Sequence, residues 1–330
     1  MNRYTLELEN DQLLNIIPLV AFLKNNEGTD IEITVNQESH CLRFCGIYDL
    51  LDKFNFSSVT IYTANAVEYH DKYLIKSPYQ WYHWLESIDK FDHSIQYNWD
   101  QSTTFGCFYG RPSASRIGIA SYLNKNYPMQ SLIKLRFNTV DEDSRKNFEL
   151  QKLYSWHPEI VPGIADLLEK IDQYQSTHRA YNYATFEYDY GNDINLQYRH
   201  IFVDIVVEAA LAGNSFYPTE KVVRAMLCKK PFIVMAPMFY LRYLKQIGFR
   251  TFDEFWSEDY DDLGLKNRYF EILKLIDKLA GLSTDQLLAL NNKLQSIVEH
   301  NYQLLVDNKF LKLVARIVPH YEKYYNDNQK

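Results

Sequence analysis

The sequence predicts an α/β protein of two domains with a helical carboxy-terminal segment, and three observations lead there. At about 150 residues per domain, 330 residues make about two domains. Strand-like and helix-like apolar patterns alternate, lapse, and restart near Phe105. From Lys266 onward, Leu and Ile recur at helical spacing. The expected units are therefore an amino-terminal α/β domain over 1–100, a second α/β domain over 101–265, and a helical segment over 266–330.

In chain order, residues 13–23 are apolar at helical spacing. Ile31, Ile33 and Val35 alternate as a half-buried strand does, and residues 47–54 return to helical spacing. Residues 59–63, Val-Thr-Ile-Tyr-Thr, form a β-rich run that ends at Ala64-Asn65-Ala66. Strands that alternate with helices predict a parallel sheet. Residues 78–91 are helical and aromatic, with Trp81, Tyr82 and Trp84. In the second domain, residues 105–109 read as a strand, Gly110-Arg111-Pro112-Ser113 as a turn, 116–122 as a helix and 132–137 as a strand. Residues 141–195 are polar and Tyr-rich, with no assigned element. The strongest βαβ unit follows: a buried strand at 201–207, a loop at 208–218, a helix at 219–229 and a strand at 231–235. Residues 239–247 are helical and stop at Gly248, a residue suited to a left-handed cap.

Composition narrows the class. With 46% hydrophobic and 23% charged residues, 11 Gly and 10 Pro, the chain is neither disordered nor collagen-like. The 27 Tyr and 19 Phe suit stacking on sugars or bases, although an AT-rich coding bias yields the same excess. The net charge of -7 argues against nucleic acid as a partner, because duplex binding needs a basic footprint. Cys41, Cys45, Cys107 and Cys228 are too scattered for a disulfide framework or a zinc site. No apolar run approaches the ~20 residues of a membrane span. The first residues carry acids where a signal peptide is apolar. A cytoplasmic protein without a membrane span is expected, in the host cytoplasm if the source is a virus.

The most informative stretch is the loop-to-helix junction over 208–221. It follows the carboxyl end of a strand, where open α/β sheets bind ligands. It also opens a helix, whose unpaired N–H groups and dipole favour a diphosphate. Lys221 adds a point charge, and Glu220 can accept two hydrogen bonds from ribose hydroxyls. The same residues also make an ordinary helix start, with Thr219 as N-cap and an acid in the first turn.

Tyr217-Pro218-Thr219-Glu220-Lys221, followed by an apolar helix and strand, resembles the Tyr-x-Thr-Glu-Lys segment of α-1,3-fucosyltransferases. Residues 105–116, Phe-Gly-Cys-Phe-Tyr-Gly-Arg-Pro-Ser-Ala-Ser-Arg, with the following helix and Tyr127, resemble the start of their donor-binding domain. Lys230-Pro231-Phe232 and Gly248-Phe249-Arg250-Thr251-Phe252 resemble a broader set of glycosyltransferase-like proteins from viruses and bacteria. Those proteins carry Thr-Glu-Lys, Pro-Phe and Gly-Phe-x-Thr-Phe in this order. Asn65, Glu68, His70 and Tyr73 fit the same set's amino-terminal half. The resemblance covers residues 105–263, and more faintly the first domain.

The resemblance implies a GT-B architecture, two Rossmann-like domains facing across a cleft. It implies a nucleotide-sugar as co-substrate, with no further cofactor and no metal. Glu220 would contact the donor ribose, and Lys221 with Arg111 or Arg116 would neutralise the diphosphate. Glu208, Asn214, Tyr217 and Thr219 complete the expected donor set. Pro218 departs from the pattern, which has a small β-branched residue there, and residues 141–195 have no counterpart. The sugar and the acceptor, whether glycan, protein or modified base, therefore do not carry over.

Sugar transfer builds negative charge on the departing diphosphate, which a helix terminus and cations can stabilise without a metal. A base must take the acceptor's proton. Glu68 and His70, just past the strand at 59–63, are the expected catalytic candidates. Asp141-Glu142-Asp143 and Asp259-Tyr260-Asp261 have the spacing of a metal-binding D-x-D, but that pattern is weak among 42 acidic residues. The expected function is a metal-independent glycosyltransferase. The alternatives are a non-catalytic GT-B-like structural or host-interaction protein of a virus, and a transferase that glycosylates DNA bases.

Overall fold

The computed structural model describes residues 2–9, 12–35, 40–77, 82–110, 113–135, 150–151, 153–174 and 192–317. Two separate four-stranded sheets, each wholly parallel, organise the chain into a mixed α/β protein. Helices connect the strands and cover the sheets.

The first sheet uses β1 (Asn2–Leu6), β4 (Asp30–Val35), β5 (Ser58–Tyr62) and β6 (Leu74–Lys76) in the order β1-β4-β5-β6. A two-stranded antiparallel ribbon of β2 (Leu8–Glu9) and β3 (Gln12–Leu13) follows β1. Helices α1 (Ile16–Asn25) and α2 (Ile47–Leu51) complete this unit. Ile31, Ile33 and Val35 of β4 point into the core beside Leu6, Leu19, Leu23 and Ile61. The intervening Thr34 is exposed, so the alternation of the sequence becomes the pleat of the strand. Strands β1 and β6 are absent from the sequence reading. In β1 only Leu6 is buried and β6 is three residues long, so neither shows a usable period.

The second sheet uses β7 (Thr103–Tyr109), β8 (Ser131–Leu135), β9 (Ile201–Val207) and β10 (Phe232–Met235) in the order β10-β9-β7-β8. Every residue of β9 is buried, as a central parallel strand covered on both faces requires. Around it lie α4 (Ala114–Asn126), α5 (Val161–Glu169), α6 (Ile171–Tyr174), α7 (Asn192–Gln197), α8 (Glu220–Leu227), α9 (Tyr240–Gln246), α10 (Leu265–Ala280) and α11 (Thr284–Val306). Between the sheets in sequence lies α3 (Tyr82–Asp89). Its Trp84 packs edge-on against Phe249 at 5.4 Å and beside Phe310 at 5.1 Å, within the second core. The buried side chains of α10 and α11 also belong to that core.

Two glycines answer to close packing. A Cβ on Gly118 in α4 would fall 2.5 Å from the Tyr269 hydroxyl of α10, so only glycine lets these helices approach. Gly248 has φ +95° and ends α9, while its amide donates to the Lys245 carbonyl.

Candidate functional site: the junction of the two sheets

Strand β9 ends at Val207, and residues 208–219 lead to the first turn of α8. The chain can open a helix there because Thr219 is extended, at φ -94° and ψ 180°, and its hydroxyl accepts the Lys221 N–H at 3.3 Å. Glu208 holds this cap. It is buried, and its carboxylate accepts the Thr219 hydroxyl at 2.6 Å, the Thr219 N–H at 3.2 Å and the Tyr240 hydroxyl at 2.9 Å. Glu208 is therefore an anchor of the loop. Three donors already occupy the carboxylate expected to face the donor.

Lys221 folds back over the helix start. Its Nζ lies 2.9 Å from Thr219 Oγ1, 3.0 Å from the Glu220 carboxylate and 3.9 Å from Glu208. One ammonium thus sits among two carboxylates. A diphosphate would have to draw Lys221 away from Glu220. The adjoining pocket, lined by Glu208, Ala209, Ala210, Ser215, Tyr217, Thr219 and Pro237, measures about 30 Å³. That is room for one water, against the several hundred Å³ of an ordinary ligand site. A larger cavity of about 420 Å³ lies elsewhere, where Asn124 and Lys125 of α4 face Asp166, Lys170 and Tyr174.

The remaining expected donor residues divide. Arg116 is 5% exposed, and its Nη2 donates to the Val207 carbonyl at 2.9 Å, so the guanidinium braces the end of β9. Asn214 is exposed, and its side-chain oxygen accepts the Tyr243 hydroxyl at 2.8 Å. Tyr217 is half-buried along the small pocket. Arg111 lies outside the described residues, as does Asp141-Glu142-Asp143. The second acidic motif has a structural duty. Both oxygens of Asp261 accept backbone N–H groups of Leu241 and Arg242, at 3.0 and 3.1 Å, which caps α9.

The carboxyl end of β5 meets this loop. The Asn65 side-chain oxygen accepts the Phe216 N–H at 2.9 Å, and its amide donates to the Asn214 carbonyl at 3.2 Å. The Ala66 N–H donates to the Phe216 carbonyl at 2.9 Å. Gly213, at φ +68°, approaches Cys41 so closely that a Cβ there would lie 2.6 Å from the cysteine Cβ. The carboxyl edges of the two sheets are therefore in direct contact.

Glu68 stands behind that contact. It is 7% exposed and accepts the Tyr48 hydroxyl at 2.8 Å, the Leu42 N–H at 3.1 Å and the Asn65 amide at 2.8 Å. Burial raises its carboxyl above the usual range, against these three donors. The expectation of a loop carboxylate open to an acceptor is corrected: Glu68 is an interior hub. The His70 ring lies against the rings of Tyr48 and Tyr73, at 4.3 and 4.5 Å. Its Nδ1 accepts the Lys72 N–H at 3.2 Å, so a neutral ring carries its proton on Nε2. Sequence reading matched Asn65 to the resembled set without giving it a role, and it did not single out Tyr48 or Tyr240. The partners of Asn65, Tyr48 and Tyr240 lie 151, 20 and 32 positions away, beyond the reach of any local pattern.

No family model matches the chain, and no curated protein matches it. A solved structure that is similar is the N-terminal domain of trehalose-6-phosphate phosphatase from Candida albicans, at 9% identity and a TM-score of 0.37. The match covers 87% of this chain and spans 65% of the length of that structure.

Proposed function

We propose that the protein is a metal-independent glycosyltransferase of the GT-B type, which moves a sugar from a nucleotide-sugar to an acceptor hydroxyl. The observation that carries this reading is the meeting of two parallel sheets at their carboxyl edges, with Thr219-Glu220-Lys221 at the start of α8 beside the contact. Carboxyl edges are where open α/β sheets bind ligands. The diphosphate would lie at the amino end of α8, with Lys221 turned toward it and Arg111 as a second cation. Glu220, released from Lys221, would accept the ribose hydroxyls.

A second reading, a GT-B-like binding protein without catalysis, is favoured by the 30 Å³ pocket and by the pairing of Lys221 with Glu220. Thermal shift with a panel of nucleotide diphosphates and nucleotide-sugars separates the two. A ligand at 100 times its Kd should stabilise the protein by about 2.7 kcal/mol. A folded protein that no nucleotide stabilises supports the second reading and removes the first.

A further inference from the structure

The cavity of about 420 Å³ lies between α4 and α5, beside Tyr174 of α6. It is remote from the junction of the sheets. Arg116 braces the end of β9 near the start of α4, and Asn124 stands eight residues on, about 12 Å along the helix. The volume is that of an ordinary small-molecule site. The two helices approach at Gly163, where a Cβ would lie 3.3 Å from Lys125 Cδ. One wall is a chain of side chains from three parts of the fold. Asn124 is 6% exposed. Its amide donates to Asp166 Oδ2 at 2.6 Å, and its oxygen accepts the Tyr174 hydroxyl. Lys170 Nζ lies 2.6 Å from Asp166 Oδ1. The hydrogen bonds from Lys170 and Asn124 hold the Asp166 carboxyl below its usual range, so it stays ionised and only accepts.

These bonds fix the wall before a ligand arrives, which lowers the cost of binding. They also leave capacity over: a second N–H on Asn124, further N–H groups on Lys170, and lone pairs on Asp166 and on the Tyr174 oxygen. Donors and acceptors thus alternate, which suits hydroxyl groups, since each of these both donates and accepts. Pro128, Pro162 and the Tyr174 ring add apolar surface for the C–H face of a saccharide ring. The charge of the lining is answered from within. Lys170 pairs with Asp166, and Lys125 sits in the last turn of α4, whose carbonyls carry about half a negative charge. Helix α5 runs along the cavity from Pro162 to Asp166, so its dipole favours neither sign at the site. A neutral ligand fits this balance better than an ion. We propose that the cavity between α4 and α5 is a saccharide site that takes a neutral hexose. The proposal does not rest on the glycosyltransferase reading.

The test follows the amide resonances of the full chain during titration with glucose, galactose and mannose, and with the uronic acid and the 2-amino sugar of each. At least one hexose should bind, and more tightly than its two charged counterparts. The shifts should centre on Asn124, Lys125, Gly163 and Asp166 and leave residues 208–221 unmoved. Asp166→Asn should weaken the hexose about tenfold, because it removes a charged acceptor. Lys170→Met should also weaken it, with little change in Tm, because that side chain is exposed. This second variant keeps the test open if Asp166→Asn does not fold. Binding of no hexose, tighter binding of the uronic acid or the amino sugar, or shifts centred on 208–221 overturns the proposal. Parental affinity in both variants overturns it as well. Nucleotide diphosphates are read at 208–221, so the saccharide site and the glycosyltransferase reading can each fail alone.

Discussion

Asn65 and Phe216 lie 151 positions apart, yet the Asn65 side-chain oxygen accepts the Phe216 N–H at 2.9 Å in a buried contact. The same amide group donates to Glu68 on its own side and to the Asn214 carbonyl on the other. One side chain thus ties the hub behind the first sheet to the loop that opens α8. Loss of this residue should loosen the loop as well as the fold.

Asn65→Ala leaves a buried N–H and a buried carboxylate short of a partner. It should cost about 1–3 kcal/mol per group left unsatisfied. Urea denaturation followed by Trp fluorescence measures this. A change under about 0.5 kcal/mol would mean that the two units do not depend on this contact.

Asp204, in the centre of β9, gives a pH signature. Burial is the main cause that raises its carboxyl from 3.8 to about 7, against the Tyr198 hydroxyl that donates at 2.6 Å and the charge of Arg224. A raised carboxyl pKa contributes stability that is complete below the unfolded value and is lost as pH rises through the folded one. The window therefore runs from about pH 4 to pH 7. At 1.36 kcal/mol per unit, the loss across it is at most about 4 kcal/mol. Asp204→Asn should flatten this slope and should exceed the parent in stability at pH 8. Equal slopes in the two proteins would place the titration elsewhere.

Glu220→Ala and Lys221→Ala should act differently on ligands. Each charge-assisted hydrogen bond lost to a nucleotide diphosphate costs about 1.5–3 kcal/mol, roughly a 10- to 150-fold loss of affinity. Lys221→Ala should weaken nucleotide diphosphates and pyrophosphate alike. Glu220→Ala should weaken the nucleotide but not pyrophosphate, because it frees Lys221 from its 3.0 Å pair. Calorimetry reads both. Parental affinity in both variants would reduce Thr219-Glu220-Lys221 to a helix cap.

Nucleotide binding should survive EDTA, since the helix terminus, Lys221 and arginine supply the positive charge in the proposed mechanism. Binding lost on chelation and restored by Mn²⁺ would instead assign the site to a carboxylate cluster.

The strands β4, β5, β7 and β9 and the helices α8 and α9 were legible because each carries its own period or apolar run. Thr219 as N-cap and Gly248 as helix stop were legible for the same reason, since capping chemistry acts over three or four residues. The roles of the site residues were legible only in part. Glu68 sits just past a strand end in the sequence, which makes it a catalytic candidate and leaves its burial open. Its burial follows from α2, which brings the Tyr48 hydroxyl over it. Glu208 and Arg116 are expected as ligand groups because the resemblance implies them. In the fold each meets groups that need a partner, Glu208 the cap of α8 and Arg116 the last carbonyl of β9.

The sequence by itself determined the strands and helices that carry their own period or apolar run, where α8 begins, and that the chain is α/β. Local hydrogen bonding and side-chain periodicity decide those features within a few residues. Only the tertiary structure decided that the carboxyl edges of the two sheets touch, and that Asn65 bridges them. It also decided that Lys221 lies on Glu220 and that Ile16 and Ile17 stay exposed. These are contacts between residues distant in sequence or choices between partners of equal chemistry, and burial, not residue type, selects among them.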